Sequence, residues 1–108
     1  RFLAPVRSGL GHGNVILEPI LRQNIYLIFK ETINNVVKHA EASYVIVEII
    51  NTPKFKMTIR DNGKGLNTRQ NQRGNGLRNM DRRAKAIQGQ IDFINKNGTQ
   101  VVFTRKSI

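Results

Sequence analysis

The stretch from Lys54 to Arg60 constrains the fold more than any other. Phe55, Met57 and Ile59 fall on one side, and Lys54, Lys56, Thr58 and Arg60 on the other. This alternation is the period-two pattern of a half-buried strand. The preceding run, Tyr44 to Ile50, is rich in β-branched residues, and Asn51-Thr52-Pro53 between the two is a turn. Together they predict a hairpin, so the chain must build a sheet with one buried face. At the hairpin's exit the sequence continues Asp61-Asn62-Gly63-Lys64-Gly65-Leu66. A carboxylate there accepts hydrogen bonds and donates none. The glycines permit backbone approaches that a side chain would block. The combination suits an exocyclic amine, such as that of adenine, better than a phosphate, which calls for lysine and backbone N–H groups. By itself Asp-Asn-Gly is also an ordinary turn signal.

The flanking segments supply the second layer. From Glu18 to Ala40 the pattern is helical, with Pro19 in the first turn. Leu21, Ile25, Ile28, Phe29, Ile33, Val36, Val37 and Ala40 form the apolar stripe. Glu31, Asn34, Asn35 and Lys38 lie on the other face, with Glu31, Asn35 and Lys38 about one turn apart. A second helix is expected from Leu77 to Gln88, stopped by Gly89. Strands follow at Gln90 to Ile94 and Gln100 to Arg105, joined by a turn at Lys96-Asn97-Gly98. Leu66 to Gly74 has almost no apolar content and is expected to be mobile. Phe2 to Val6 reads as a short edge strand and Ser8 to Asn14 as a loop. The order implies an α+β fold of two layers, helices packed on one face of a largely antiparallel sheet. Residues 1–15 form an uncertain N-terminal segment, and residues 16–108 form the domain.

Composition narrows the function classes. One domain of 108 residues is large enough for a core. No run approaches the roughly 18 apolar residues of a membrane span. With no cysteine, disulfides and cysteine-based metal sites or nucleophiles are excluded. The start at Arg1, without a signal-peptide pattern, is read as that of a fragment of a longer, cytoplasmic protein. The net charge of +11 points to a polyanionic partner. Basic residues concentrate between Lys64 and Lys85, where only Asp81 opposes them. A solvated face accounts for such a run as readily as a binding surface does.

Read together, the polar residues form a constellation. The first helix offers Glu31, Asn35 and Lys38, and the strand exit offers Asp61 with Gly63 and Gly65. Gly74-Asn75-Gly76-Leu77 opens the second helix, where backbone N–H groups and the helix dipole favour an anion. Glu31-Thr32-Ile33-Asn34-Asn35-Val36-Val37-Lys38-His39-Ala40 resembles the N box of the GHKL ATPase superfamily. Asp61 to Leu66 resembles its G1 box, Gly74 to Met80 its G2 box, and Gly98-Thr99 its Gly-Thr before the last strand. The likeness covers about residues 16–106 and is greatest to sensor histidine kinases of the nitrate-sensor and DesK-like type.

That resemblance implies a Bergerat-type α/β sandwich with a mixed sheet, using ATP and Mg²⁺. It implies that Asn35 holds Mg²⁺ and that Glu31 acts as, or orients, a general base. Lys38 and His39 would lie near the phosphates, and Asp61 would receive the adenine amine with Thr99 alongside. Gly63 and Gly65 would let the backbone approach the base, while Gly74, Gly76 and Leu77 would shape the lid. The implied acceptor is a histidine on a separate dimerisation domain absent from this chain, with a response regulator downstream. The fragment is then expected to be monomeric, the full protein a homodimeric, membrane-bound sensor with this domain in the cytoplasm. A GHKL anti-sigma-type serine kinase, a basic nucleic-acid-binding module and a degenerate scaffold are the competing readings. An aromatic content of 6% and the lack of a stacking platform weigh against nucleic acid.

Overall fold

The computed structural model describes residues 6–9, 18–65, 76–95 and 97–108, with the backbone alone for residues 6–9 and His39. The strands are β1 (Val6–Gly9), β2 (Val45–Ile50), β3 (Lys54–Asp61), β4 (Gln90–Asn95) and β5 (Thr99–Lys106). They form one sheet in the order β1-β2-β3-β5-β4. β1 runs parallel to β2, and the other pairings are antiparallel. The helices are α1 (Pro19–Asn35), continued by a π-wound turn over Val36–Ala40, and α2 (Gly76–Ala86).

The alternation in β3 follows its sequence except at Thr58, which was placed with the exposed residues and is buried at 7% exposure. Phe55, Met57, Ile59 and Asp61 are buried, while Lys54, Lys56 and Arg60 are exposed on the outer face. Register aligns the inward residues into rows across the sheet. One row is Val47, Ile59, Val101 and Phe93, and the next is Ile49, Met57, Phe103 and Ile91. Ile25, Ile28 and Val36 from the first helical segment, and Met80, Ala84 and Ile87 from the second, pack onto these rows. Phe103, at 0% exposure, is the centre of the core and meets Phe55 edge-to-face at 6.0 Å. Arg105 ties the layers at one edge, its Nε donating to the Ile87 carbonyl at 3.0 Å.

Several expectations are corrected. The N-terminal strand covers Val6–Gly9, not Phe2 to Val6, because it pairs in parallel register with Val47–Ile50. Ser8 and Gly9, expected in a loop, are therefore strand residues, while residues 2–5 lie outside the described residues. The first helix changes winding at Val36, so its last five residues are π rather than α. Val37, placed in the apolar stripe, is exposed, because Val36 and Ala40 supply the inward positions. Asn35, placed on the polar face, is buried beneath the start of α2. At the end of α2 the left-handed residue is Gln88 (φ 58°), and the Gly89 N–H donates to the Ala84 carbonyl. The expected mobile stretch from Leu66 to Gly74 lies outside the described residues.

The turn after β3 is fastened to the end of the first helix. Asn62 Oδ1 accepts from the backbone N–H of Ser43 at 2.9 Å and of Tyr44 at 3.1 Å, and its Nδ2 donates to Ser43 Oγ at 2.7 Å. The Lys64 N–H donates to the Ala40 carbonyl at 2.7 Å.

Phe103→Ala is expected to lower stability by about 3–5 kcal/mol, read as a lower urea midpoint. Asn62→Ala is expected to cost about 1 kcal/mol. It should also speed amide hydrogen exchange at Ser43 and Tyr44 while leaving the core strands protected.

Candidate functional site

Asp61 is the last residue of β3 and keeps the inward phase of Ile59, so the strand delivers its carboxylate to the helix side of the sheet. It is 5% exposed. Its Oδ1 accepts from the Gly63 N–H at 2.7 Å and, at a longer 3.4 Å, from the Thr99 N–H. Its Oδ2 has no hydrogen-bond partner among the described residues. A buried carboxylate with one oxygen held by backbone and the other unspent is an acceptor awaiting a donor. Asp61 opens onto a cavity lined also by Thr32, Asn35, Val36, Ala40, Ile59, Thr99 and Val101. The enclosed part is about 10 Å³, room for a single water-sized sphere. Thr99 is 4% exposed and its hydroxyl donates weakly to Asn95 Oδ1 at 3.4 Å.

Two glycines make this corner possible. A Cβ on Gly63 would collide with the Ala40 carbonyl oxygen, so only glycine lets the turn cross the helix end. Gly98 sits at φ +118° with its α-carbon packed onto the Asp61 carbonyl. Gly65, at φ +89°, lies beside Asn95.

Asn35 links this cavity to a second corner. Its amide lines the cavity, and its Nδ2 lies 3.9 Å from the position a Cβ on Gly76 would take. That Nδ2 is the one buried side-chain N or O atom without a partner among the described residues. Leaving a buried N–H unmet costs roughly 1–3 kcal/mol, so this amide has a hydrogen bond still to give. The half-buried Glu31 reaches the same corner, with its Cδ 3.6 Å from that Gly76 position. Glu31 has no hydrogen-bond or ion-pair partner among the described residues. Gly76 is buried as the first residue of α2, so the helix N-terminus with its free N–H groups overlooks Glu31 and Asn35.

The structure thus brings together Glu31, Asn35, Asp61, Gly63, Thr99 and Gly76 around one connected surface. Gly65 borders it. Lys38 is exposed on the π turn, and Leu77 is half-buried against the core. Gly74 and the side chain of His39 lie outside the described residues. Sequence reasoning missed the apolar walls Thr32, Val36, Ile59 and Val101, and missed Asn62 as the anchor of the Asp61 turn. Asn62 had a signal, an amide in an Asp-Asn-Gly turn, but its partner Ser43 is 19 residues away. No group of three or more potential metal-ligating His, Cys, Asp or Glu side chains occurs among the described residues.

Comparisons with known proteins bear on the family and on the fold. The sensor histidine kinase YvfT of Bacillus subtilis is 31% identical over 90 residues, covering 82% of this chain and 24% of the relative. The histidine-protein kinase/phosphatase UhpB of Salmonella typhimurium is 33% identical over 81 residues, covering 74% of this chain and 16% of the relative. The chain therefore spans about a quarter or less of these relatives. The histidine kinase domain of a blue-light activated kinase from Erythrobacter litoralis superposes with a TM-score of 0.80 at 19% identity, over 98% of this chain and 52% of that one. The ATP-binding domain of PrrB from Mycobacterium tuberculosis gives 0.71 at 21%, over 95% and 81%. These two likenesses bear on the fold. Residues 21–107, which contain every described residue of the connected surface, match one family description, and the chain belongs to that family: the histidine kinase-, DNA gyrase B- and HSP90-like ATPases.

Proposed function

We propose that the chain is the ATP-binding catalytic domain of a sensor histidine kinase and supplies the γ-phosphoryl group of ATP to a histidine on a separate dimerisation domain. The observation that carries this reading is Asp61, a buried carboxylate with one oxygen fixed by backbone N–H groups and the other unspent. An acceptor-only group at that place selects the exocyclic amine of adenine over the carbonyl of guanine. The apolar walls supply the faces between which a planar base packs. The enclosed cavity is too small for adenine, so its rim must part to admit the base.

The triphosphate would run from the base past Asn35 to the start of α2, where N–H groups and the helix dipole favour negative charge. The unmet Asn35 amide fits a magnesium nucleotide: its oxygen is a hard ligand for Mg²⁺, and its N–H is free for a phosphate oxygen. When bound, Mg²⁺ would neutralise charge on the β- and γ-phosphates. Lys38, exposed one turn beyond Asn35, would add positive charge near the phosphates. Gly76, the first residue of α2, would lie beside the phosphates.

Glu31 is half-buried, unpaired among the described residues and beside Asn35, so it would accept the proton of the attacking imidazole. In the transfer, the bond from the γ-phosphorus to the bridging oxygen breaks and ADP leaves. A phosphorus–nitrogen bond forms to the imidazole, and the imidazole proton passes to Glu31. The relatives named above are sensor histidine kinases, which favours a histidine acceptor over a serine and gives the nucleic-acid reading no support. No described helix is long and apolar enough to cross a membrane. We place this domain on the cytoplasmic side of a membrane-bound sensor that passes its phosphoryl group to a response regulator.

Calorimetry with Mg·ATP tests the base site. Asp61→Asn puts an N–H where the adenine amine arrives, and affinity should fall by roughly a hundredfold. Equal affinity in the two proteins would sink the assignment. Asn35→Ala should leave metal-free nucleotide binding within about threefold and remove most of the gain that Mg²⁺ brings. A gain as large as in wild type would show that the ion is held elsewhere.

A further inference from the structure

The reverse side of the Asp61 corner, on the outer face of the sheet, carries a hollow of its own. It measures about 350 Å³, at the lower end of the range in which small ligands bind. Register builds it. Ile46, Arg60 and Gln100 stand side by side across β2, β3 and β5, each one position from an inward residue. Tyr44 keeps the phase of Ile46 two residues earlier, and Asn97 lies in the turn between β4 and β5. The polar groups here are little used by the protein. Arg60 Nη2 lies 3.9 Å from Glu48 Oε1, an ion pair too long for a hydrogen bond. The side-chain amides of Asn97 and Gln100 have no hydrogen-bond partner among the described residues. The one carboxylate in the lining, Asp61, is turned to the helix side, where the N–H groups of Gly63 and Thr99 hold it. A cation and two free amides therefore face the hollow without an anion, and Tyr44 and Ile46 give it an apolar wall.

We propose that this hollow is a second ligand site, taking a small aromatic carboxylate, and that its occupation weakens nucleotide binding. The carboxylate would take the guanidinium fork of Arg60, replacing the long contact to Glu48, together with the amide N–H groups of Gln100 and Asn97. The ring would lie against Tyr44 and Ile46. An inorganic anion leaves that wall unused, and a neutral aromatic leaves the guanidinium unanswered. Asp61 and Thr99 line both this hollow and the cavity on the helix side. That cavity must part to admit a base, whereas a ligand spanning β2, β3 and β5 from behind holds the ends of those strands together. The coupling rests on the nucleotide reading above, and the site itself stands apart from it.

Benzoate is the probe, with benzyl alcohol and inorganic phosphate as its two halves, each titrated into the chain and followed by amide shifts. Benzoate should shift Tyr44, Ile46, Arg60 and Gln100 and bind about tenfold more tightly than either half. Arg60→Gln should weaken benzoate about tenfold and leave the affinity for Mg·ATP and the thermal midpoint as in wild type. Lys56→Gln, on the same outer face but outside the hollow, should leave benzoate binding unchanged. Saturating Mg²⁺ and a non-hydrolysable ATP analogue should weaken benzoate about fivefold, and benzoate should weaken the nucleotide by the same factor. The absence of a saturable shift at these amides, either half binding as tightly as benzoate, or equal losses in Arg60→Gln and Lys56→Gln would overturn the site. Equal benzoate affinity with and without nucleotide would overturn the coupling. Failure of the wild-type chain to bind nucleotide would instead overturn the nucleotide reading and leave the benzoate result to decide the site.

Discussion

The carbonyl of Ala40 is the contact on which the site depends. It ends the π-wound turn and accepts the Lys64 N–H at 2.7 Å, with the Gly63 α-carbon packed directly onto it. That single backbone group joins the first helix to the turn after β3, two segments that the hairpin would otherwise leave free to move apart. It can do so only because π winding carries Ala40 inward to 1% exposure and because residue 63 has no side chain. Asn62 adds a second fastening one residue away, through Ser43 and Tyr44. With both in place, Asp61 and Asn35 share one cavity although they come from opposite layers.

The same corner is where the fold is least economical. A carboxyl group at 5% exposure needs hydrogen bonds to offset lost hydration, and Asp61 has one short and one long. Asn35 is buried with an unmet amide N–H beside it. An apolar pair at these positions would give a more stable domain, so stability is not what places them. Two under-satisfied polar groups on one small cavity, among walls that are otherwise well packed, are the physical signature of a site completed by a ligand.

Most of the sheet was legible because its signals are local. The alternation of Lys54 to Arg60, the β-branched run before it and the Asn97-Gly98 turn each act within a few residues, and β2 to β5 follow them to within one residue at either end. α2 was legible through Leu77, Met80, Ala84 and Ile87. β1 was not, because Ser8 and Gly9 have no strand preference of their own and are drawn into register by the parallel edge of β2. Nor was the burial of Asn35. On the helix alone it lies with Glu31 and Lys38, and only the arrival of Gly76 from 41 positions later covers it. The constellation Glu31, Asn35, Asp61 and Thr99 was legible as a set of residue types at telling spacings. The apolar walls that make it a cavity were not, since Val36, Ile59 and Val101 look like any other core residues.

Two groups of basic residues among those described differ in setting. On the outer face of the sheet Lys54 and Lys106 lie directly opposite in register. Like charges so placed repel mildly, which keeps an uncovered sheet face hydrated and discourages stacking on a second copy. Lys30, Arg82 and Arg83, in the groove between α1 and α2, have a different setting. They flank an apolar floor of Leu27 and Met80, share it with the single carboxylate of Glu31, and lead to the helix N-terminus where negative charge is already favoured. A field built this way draws anions along one path rather than over the whole surface. The net charge of +11 therefore does not describe a generic affinity for polyanions.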